Sequence, residues 1–117
     1  MAHDDSYYHA HDLGKFPEIG KNRPELAEKF FDYYGAVFAE GALSAREKAL
    51  IALAVAHAVQ CPYCIDAHTQ LAVKHGATDE EIMEAIWVAA EMRAGGAYAH
   101  SALALRAIEK ARAQPDT

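Results

Sequence analysis

The sequence contains few β-branched residues, which together with aromatic residues favour β-strands. Alanine, the best helix former, instead supplies a large share of its 52% hydrophobic content. A chain of 117 residues is the size of one ordinary domain, long enough to bury a core but only just long enough to enclose a site unaided. We therefore expect a single all-helical domain.

Basic clusters and long apolar runs are also missing. Lysine and arginine total 11 against 17 acidic residues, a net charge of -6, and they form no track for phosphates. The longest apolar run, Ala49 to Ala56, is far shorter than a membrane span, and residues 1–10 are polar and histidine-rich rather than signal-like. We expect a cytoplasmic protein with neither a nucleic-acid partner nor a membrane.

Only two cysteines are present, and they lie three residues apart in the run Cys61-Pro62-Tyr63-Cys64, with His68 following. In a reducing compartment such a pair is more often catalytic or metal-binding than a structural staple. On one helix, positions 61, 64 and 68 would share a face. The spacing therefore suits redox chemistry or metal binding.

Proline, glycine and capping residues divide the chain into an N-terminal arm, residues 1–23, and a domain of five to six helices, residues 24–114. The first long helix is predicted to begin at Pro24 and to stop near Gly41. We expect its apolar side chains to lie in the core. They are Leu26, Phe30, Phe31, Tyr34, Val37 and Phe38.

Two capping boxes predict later helix starts. Ser44 with Glu47 opens a helix that runs to about Val59, and Thr78 with Glu81 opens another. The second of these helices should break at residues 95–96, which are both glycine.

The helix that carries the cysteines is predicted between those two. Pro62 suits its first turn, Lys74 ends it and Gly76 supplies a left-handed cap. A last helix, residues 97–113, should direct its apolar side chains toward a core. They are Leu103, Leu105 and Ile108.

A helix N-terminus favours the thiolate form of Cys61 or Cys64 over the thiol. A sulfenic acid formed on one sulfur can condense with the other thiol before it is oxidised further. His68, four residues beyond Cys64, is the candidate general base. Glu47 could relay protons, although its place in a capping box already explains it.

Zinc is the alternative that these residues leave open. A helix continuous through Pro62 would align His57, Cys61, Cys64 and His68 as a tetrahedral set. Structural zinc ligands usually lie on turns and separated segments, and a break at Pro62 would turn His57 away. We therefore assign no metal and no cofactor.

The sequence resembles the alkyl hydroperoxidase D and carboxymuconolactone decarboxylase family. The resemblance spans about residues 43–105 and is carried by the segment 44–48, the alanine-rich run 50–56, the C-x-x-C-x-x-x-H motif and the segment 76–82. Residues 30–35, Phe-Phe-Asp-Tyr-Tyr-Gly, are similar to a peroxidase-like branch associated with arsenosugar biosynthesis.

The resemblance implies an all-helical subunit that assembles into trimers or hexamers and acts as an antioxidant thiol-dependent peroxidase or disulfide reductase. It implies that Cys64 attacks a hydroperoxide, Cys61 resolves the product and His68 assists proton transfer. The implied reductant is a small thiol, a lipoyl group or a thioredoxin-like protein. The family's decarboxylase branch works without this cysteine pair, which argues against that activity here.

Two positions depart from the family pattern. The glutamate of the family's proton relay falls on Ala49, and a histidine inside its C-x-x-C motif falls on Tyr63. We expect Glu47 or the Tyr63 hydroxyl to substitute. The competing interpretation is a non-catalytic oligomeric protein that holds a soft metal or thiophilic ligand through Cys61, Cys64 and His68.

Overall fold

A computed structural model describes residues 6–114 of the chain, which are helical and contain no strand. The helices are α1 (Phe16–Ile19), α2 (Pro24–Phe38), α3 (Ala45–Ala58), α4 (Pro62–Lys74) and α5 (Asp79–Ala113), with 3₁₀ turns at Ala10–Lys15 and Gly20–Asn22. This confirms the all-helical prediction. The first five residues of the predicted arm lie outside the described residues.

Both capping boxes form as predicted. The Ser44 hydroxyl accepts the Glu47 amide at 3.0 Å, and the Glu47 carboxylate accepts the Ser44 amide at 2.7 Å. Thr78 and Glu81 make the equivalent bonds at 3.1 and 2.9 Å. Each box satisfies two amides that the first turn leaves without a partner, and so sets where α3 and α5 begin.

The turn between α3 and α4 separates the two helices at the predicted place. Gln60 adopts a left-handed φ of 59°, Cys61 caps α4 and Pro62 occupies its first turn. At the other end of α4, Gly76 has a φ of 87°, which a residue without Cβ tolerates. The helix carrying the cysteines is therefore short and bounded at both ends.

The core forms where α3 packs against α4 and the first half of α5. Ala49 and Leu53 of α3 are fully buried against Ala72, Ala77 and Ile82. Because most of these side chains are small, the helices approach closely. Two further contacts join α5 to α3: Arg93 donates to the Ala58 carbonyl, and Arg46 pairs with Glu81.

The predicted break at residues 95–96 is wrong, because α5 continues unbroken from Asp79 to Ala113. A glycine inside a helix costs only about 1 kcal/mol relative to alanine, and no proline removes an amide here. The surrounding alanine-rich sequence keeps the helix intact through Gly95 and Gly96.

The predicted burial of two apolar faces is also wrong within the single chain. Of the α2 aromatics only Phe38 is half-buried, and every side chain of residues 97–114 is exposed, including Leu103, Leu105 and Ile108. The radius of gyration is 20.4 Å, whereas a compact chain of this length has about 13 Å. These segments extend from the α3–α4–α5 core, so no other element within residues 6–114 covers them.

No helix within residues 6–114 is both long enough and apolar enough to cross a membrane.

Candidate active site

Cys61 and Cys64 form a disulfide at the start of α4, with 5.2 Å between their Cα atoms. Cys61 is the N-cap residue, and its Sγ accepts the Cys64 backbone amide at 3.2 Å. This amide and the positive end of the helix dipole would stabilise a thiolate at position 61 once the disulfide is reduced. The structure therefore joins the two predicted redox residues directly.

His68 lies one helical turn after Cys64 and is buried, with 8% of its surface exposed. Phe38 stacks on the imidazole with ring centres 4.9 Å apart, and the Tyr34 hydroxyl lies 3.4 Å from Nε2. Burial lowers the pKa of His68 below its ordinary value of 6.5, so the ring is neutral at neutral pH. Among residues 6–114 its Nδ1 has no hydrogen-bond partner.

Two cavities meet at Cys64 and His68, the residues that line both of them. The first, here the α3 cavity, has a volume of about 440 Å³ and lies between α3, α4 and the end of α2. Besides the two shared residues it is lined by Val37, Phe38, Leu43, Lys48, Ile51, Ala52, Val55, Ala56 and Val59. Its apolar walls leave the sulfur and the imidazole as the chemically reactive groups, with Lys48 as a third polar side chain.

The second, here the arm cavity, has a volume of about 400 Å³. It lies between the N-terminal segment (residues 6–15), the start of α1, α2 and α4. Besides the two shared residues it is lined by Leu13, Phe16, Phe30, Phe31, Tyr34, Tyr63 and Ala67. Five of these side chains are aromatic. A molecule in either cavity reaches Cys64, whereas Cys61 lines neither.

Tyr63, the residue inside the C-x-x-C motif, contacts the N-terminal segment. Its hydroxyl donates to Asp12 at 2.9 Å, which raises the pKa of the phenol and lowers that of the carboxyl. Nearby, Tyr8 donates to Asp66 at 2.5 Å and packs edge-on against the Tyr63 ring at 4.7 Å. The hydrogen bond to Asp66 raises the pKa of Tyr8 to about 12. These two tyrosine–aspartate pairs hold the segment against α4.

Glu47 and Ala49 lie away from Cys61, Cys64 and His68. The Glu47 carboxylate serves the capping box, and its backbone hydrogen bond with Ser44 is the main cause of its lowered pKa. No hydrogen bond within residues 6–114 joins it to His68. Ala49 is fully buried in the core, so the position of the family's relay glutamate carries only a methyl group here.

The alternative zinc set, which we did not adopt from the sequence, is not brought together. Nδ1 of His57 bonds the Leu53 carbonyl of its own helix at 2.7 Å, and the turn at Gln60 separates His57 from α4. Within the described range no three histidine, cysteine or acidic side chains converge as metal ligands do.

The contact that Tyr34 and Phe38 make with His68 was not predicted from the sequence, because both rings were expected to lie in the core. Their spacing of four residues does place them on one face of α2. Which group that face meets depends on how α2 packs on α4, about which the local pattern carries no information. The same applies to the pairing of Asp12 with Tyr63.

The family model described as the carboxymuconolactone decarboxylase family matches residues 24–107. This chain belongs to that family. As a carboxymuconolactone decarboxylase family protein it is 52% identical over 93 residues to uncharacterized protein 4 in the cox locus of Paracoccus denitrificans, covering 80% of this chain and 84% of the relative. A Haemophilus influenzae protein is 39% identical over 105 residues, covering 89% and 92%.

Solved structures of similar proteins share this fold. A protein from Methanobacterium thermoautotrophicum is 40% identical with a TM-score of 0.70, covering 73% of this chain and 96% of that one. An apo carboxymuconolactone decarboxylase family protein from Legionella pneumophila is 38% identical with a TM-score of 0.67, covering 86% and 91%. The family and the disulfide-bonded C-x-x-C are compatible with a peroxidase of the alkyl hydroperoxidase D type. The narrower arsenosugar-associated branch stays a prediction.

Proposed function

We propose that this chain is a thiol-dependent peroxidase-like oxidoreductase that cycles Cys61 and Cys64 between a dithiol and a disulfide. One observation carries the proposal: the disulfide lies beside a buried, neutral imidazole at the point where two apolar cavities meet. A base, a sulfur nucleophile and a second sulfur within bonding distance are the groups that peroxide reduction needs.

In the proposed reaction the Cys64 thiol passes its proton to His68, and the thiolate attacks the terminal oxygen of a hydroperoxide. The O–O bond breaks, the alcohol leaves with the proton, and Cys64 becomes a sulfenic acid. The Cys61 thiol then loses its proton as its sulfur attacks the Cys64 sulfur, and the sulfenic hydroxyl leaves with that proton as water, which forms the disulfide. A dithiol reductant supplies two electrons and two protons to restore both thiols.

The cavities support this division of roles between the cysteines. Cys64 faces both spaces in which a substrate could bind, and His68 follows it by one turn. Cys61 lines neither cavity, and its sulfur accepts the amide of Cys64. A sulfur that lines neither cavity and is stabilised as a thiolate suits the resolving step.

The aromatic lining of the arm cavity favours a hydroperoxide with an apolar organic group over hydrogen peroxide. Phe16, Phe30 and Phe31 offer ring faces and edges to such a group, which gains free energy by leaving water. Hydrogen peroxide has no apolar surface to bury and gains nothing from these contacts.

The proposed partners are a thiol, lipoyl or thioredoxin-like reductant and further copies of this chain, as a trimer or hexamer. Exposed side chains on α2 and α5, such as Phe30, Tyr98 and Leu105, leave a large apolar surface uncovered, and monomeric proteins rarely expose such surfaces. We place the protein in the cytoplasm, where such reductants keep cysteine pairs reduced.

The test is intact mass spectrometry of the reduced protein after one equivalent of cumene hydroperoxide, followed over seconds, with metal content measured on the same sample. The proposal predicts loss of two hydrogens from metal-free protein. Cys64→Ser should stay unoxidised, whereas Cys61→Ser should gain one oxygen as a trapped sulfenic acid. Retention of both thiols around a stoichiometric metal would replace the proposal with the binding-protein interpretation.

A further inference from the structure

The proton relay implied by the family resemblance is incomplete at the carboxylate position, yet His68 still has one polar partner. Ala49 is buried among apolar side chains, and Glu47 is held in its capping box. Within residues 6–114 the hydrogen-bonding contact of the His68 ring is made by the Tyr34 hydroxyl, at 3.4 Å from Nε2. This distance is at the long end for a hydrogen bond, and such contacts often tighten when substrate binds.

We infer that Tyr34 is the positioning residue for the His68 base: its hydroxyl oxygen accepts a hydrogen bond from Nε2–H, so that Nδ1 is the nitrogen that takes the proton of Cys64. This inference rests on the proposed peroxidase function and names the group that stands in for the relay carboxylate. Tyr34 acts through His68 and has no direct part in the reaction with peroxide.

Two aromatic side chains of α2 hold the His68 ring. Tyr34 and Phe38 lie four residues apart on one face of the helix, with their ring centres 4.9 Å apart. Phe38 stacks on the imidazole with an angle of 25° between the planes, and the Tyr34 ring centre lies 5.9 Å from it. The two aromatic side chains together limit the rotation of the His68 ring.

The surroundings of the two ring nitrogens of His68 decide which one carries the proton. A neutral imidazole carries one N–H donor and one acceptor nitrogen, and the hydrogen bond at one nitrogen decides which is which. Nδ1 of His68 is buried without a partner. A buried N–H with no acceptor is among the rarest defects in proteins, so Nδ1 is better left as an acceptor. The proton then resides on Nε2 and points to Tyr34.

This tautomer of His68 permits proton transfer from Cys64. An unprotonated Nδ1 can take a proton, and Cys64 lines the same two cavities as His68 from four residues away on α4. In this disulfide form Nδ1 makes no hydrogen bond to the Cys64 sulfur, so we assign the transfer to the reduced form, in which the thiol is free to turn toward the ring. When Nδ1 takes the Cys64 proton the ring becomes an imidazolium, and the Tyr34 oxygen stabilises it through the Nε2–H bond. No bond other than the S–H and the new Nδ1–H changes.

The remaining ionisable side chains around the two cavities are engaged elsewhere. The Lys48 ammonium donates to the Val37 and Ala39 carbonyls at 2.8 and 2.6 Å, and the Tyr63 hydroxyl donates to Asp12. Neither makes a hydrogen bond to His68 in the described part of the chain, so neither competes with Tyr34 for the ring.

The test is the pH dependence of Cys64 alkylation by iodoacetamide in the reduced Cys61→Ser protein, where Cys64 is the single thiol. Tyr34→Phe keeps the aromatic ring and removes the oxygen, and Tyr33→Phe, on an exposed neighbouring position, is the matched control. We expect Tyr34→Phe to raise the apparent pKa of the Cys64 thiol by about one unit and slow alkylation at neutral pH by about ten-fold. Tyr33→Phe should match the parent.

Nitrogen NMR of the histidine-labelled protein tests the same inference without touching Tyr34. The His68 signals are identified by their loss in His68→Gln. We expect a protonated Nε2 and an unprotonated Nδ1. The opposite tautomer, or equal alkylation profiles for Tyr34→Phe and Tyr33→Phe, overturns the inference. Neither measurement uses peroxide. If the parent did not react with hydroperoxides, the proposed function would be refuted, but the alkylation and NMR results could still be interpreted.

Discussion

The Tyr63 hydroxyl donates a hydrogen bond of 2.9 Å to Asp12, which joins the redox motif to a segment 51 residues earlier in the chain. The hydrogen bond from Tyr8 to Asp66 joins the same two parts of the chain with the roles exchanged, since here the tyrosine is on the segment and the carboxylate is on α4. The ordering of residues 6–15 is therefore coupled to the helix that carries both cysteines, and that segment forms one wall of the arm cavity.

Removal of these hydroxyls should loosen the segment. We expect Tyr8→Phe and Tyr63→Phe to increase hydrogen exchange in residues 6–15 while leaving exchange in α3 unchanged, because the core does not depend on either bond. Hydrogen exchange followed by mass spectrometry provides both readings. Tyr7→Phe, on a fully exposed neighbour, is the matched control. If all three variants exchange alike, the pairs do not hold the segment.

The same pairs predict how docking of the segment depends on pH. Asp12 and Asp66 have folded-state pKa values below the ordinary 3.8, so their contribution is complete above that pH and is lost as the pH falls further. The pKa of Tyr8 is raised from 10.0 to about 12, so its contribution is complete below pH 10 and is lost as the pH rises through about 12. Limited proteolysis of the segment across this range should show a protected plateau with losses at both ends.

Filling the arm cavity should slow the reaction with an organic hydroperoxide more than the reaction with hydrogen peroxide. Ala67→Leu adds three carbons to this cavity, and Ala52→Leu adds the same group to the α3 cavity. We expect Ala67→Leu to slow the reaction with cumene hydroperoxide by about ten-fold. The added carbons occupy space that the apolar group of the substrate needs, and a change of this size in an apolar pocket alters the rate by about that factor. The reaction with hydrogen peroxide should change little. The reverse pattern, with Ala52→Leu selective, would move the substrate to the α3 cavity.

Glu47 should behave as a capping residue and not as a relay. Ser44→Ala should lower the free energy of unfolding by about 1 kcal/mol, as should Thr78→Ala at the equivalent position of α5. Urea unfolding of the oxidised protein at one fixed concentration measures both. Glu47→Gln should leave the pH profile of Cys64 alkylation unchanged. A shift in that profile would return Glu47 to the relay.

The exposed apolar face of α5 should control assembly. Leu105→Glu places a charge where 61% of an apolar side chain is exposed, and a charge that must be buried between subunits opposes association. We expect sedimentation velocity to show a smaller species than the parent. Lys110→Glu puts the same carboxylate on a nearby turn of the helix, at a position already charged, and should retain the parent's assembly. Identical sedimentation of both variants would place the interface elsewhere.

The helix boundaries follow largely from local sequence. Ser44, Thr78, Pro62 and Gly76 determine them because each acts on backbone groups within a few residues. The exception is α5, where two glycines weaken the helix without breaking it. The free-energy cost of the two glycines is small compared with the helix propensity of the residues on either side. A sequence pattern shows where the helix is weakest but not whether its neighbours keep it helical.

The sequence by itself determined where α2, α3, α4 and α5 begin. It also determined the grouping of Cys61, Cys64 and His68, since that grouping depends on spacing along a single helix. Only the tertiary structure decided that Tyr34 and Phe38 meet His68, that Asp12 meets Tyr63, and that the apolar faces of α2 and α5 remain exposed. An amphipathic pattern specifies that a face is apolar and leaves open what covers it. The physical reason is that such contacts join residues distant in sequence, and their identity depends on how whole helices pack.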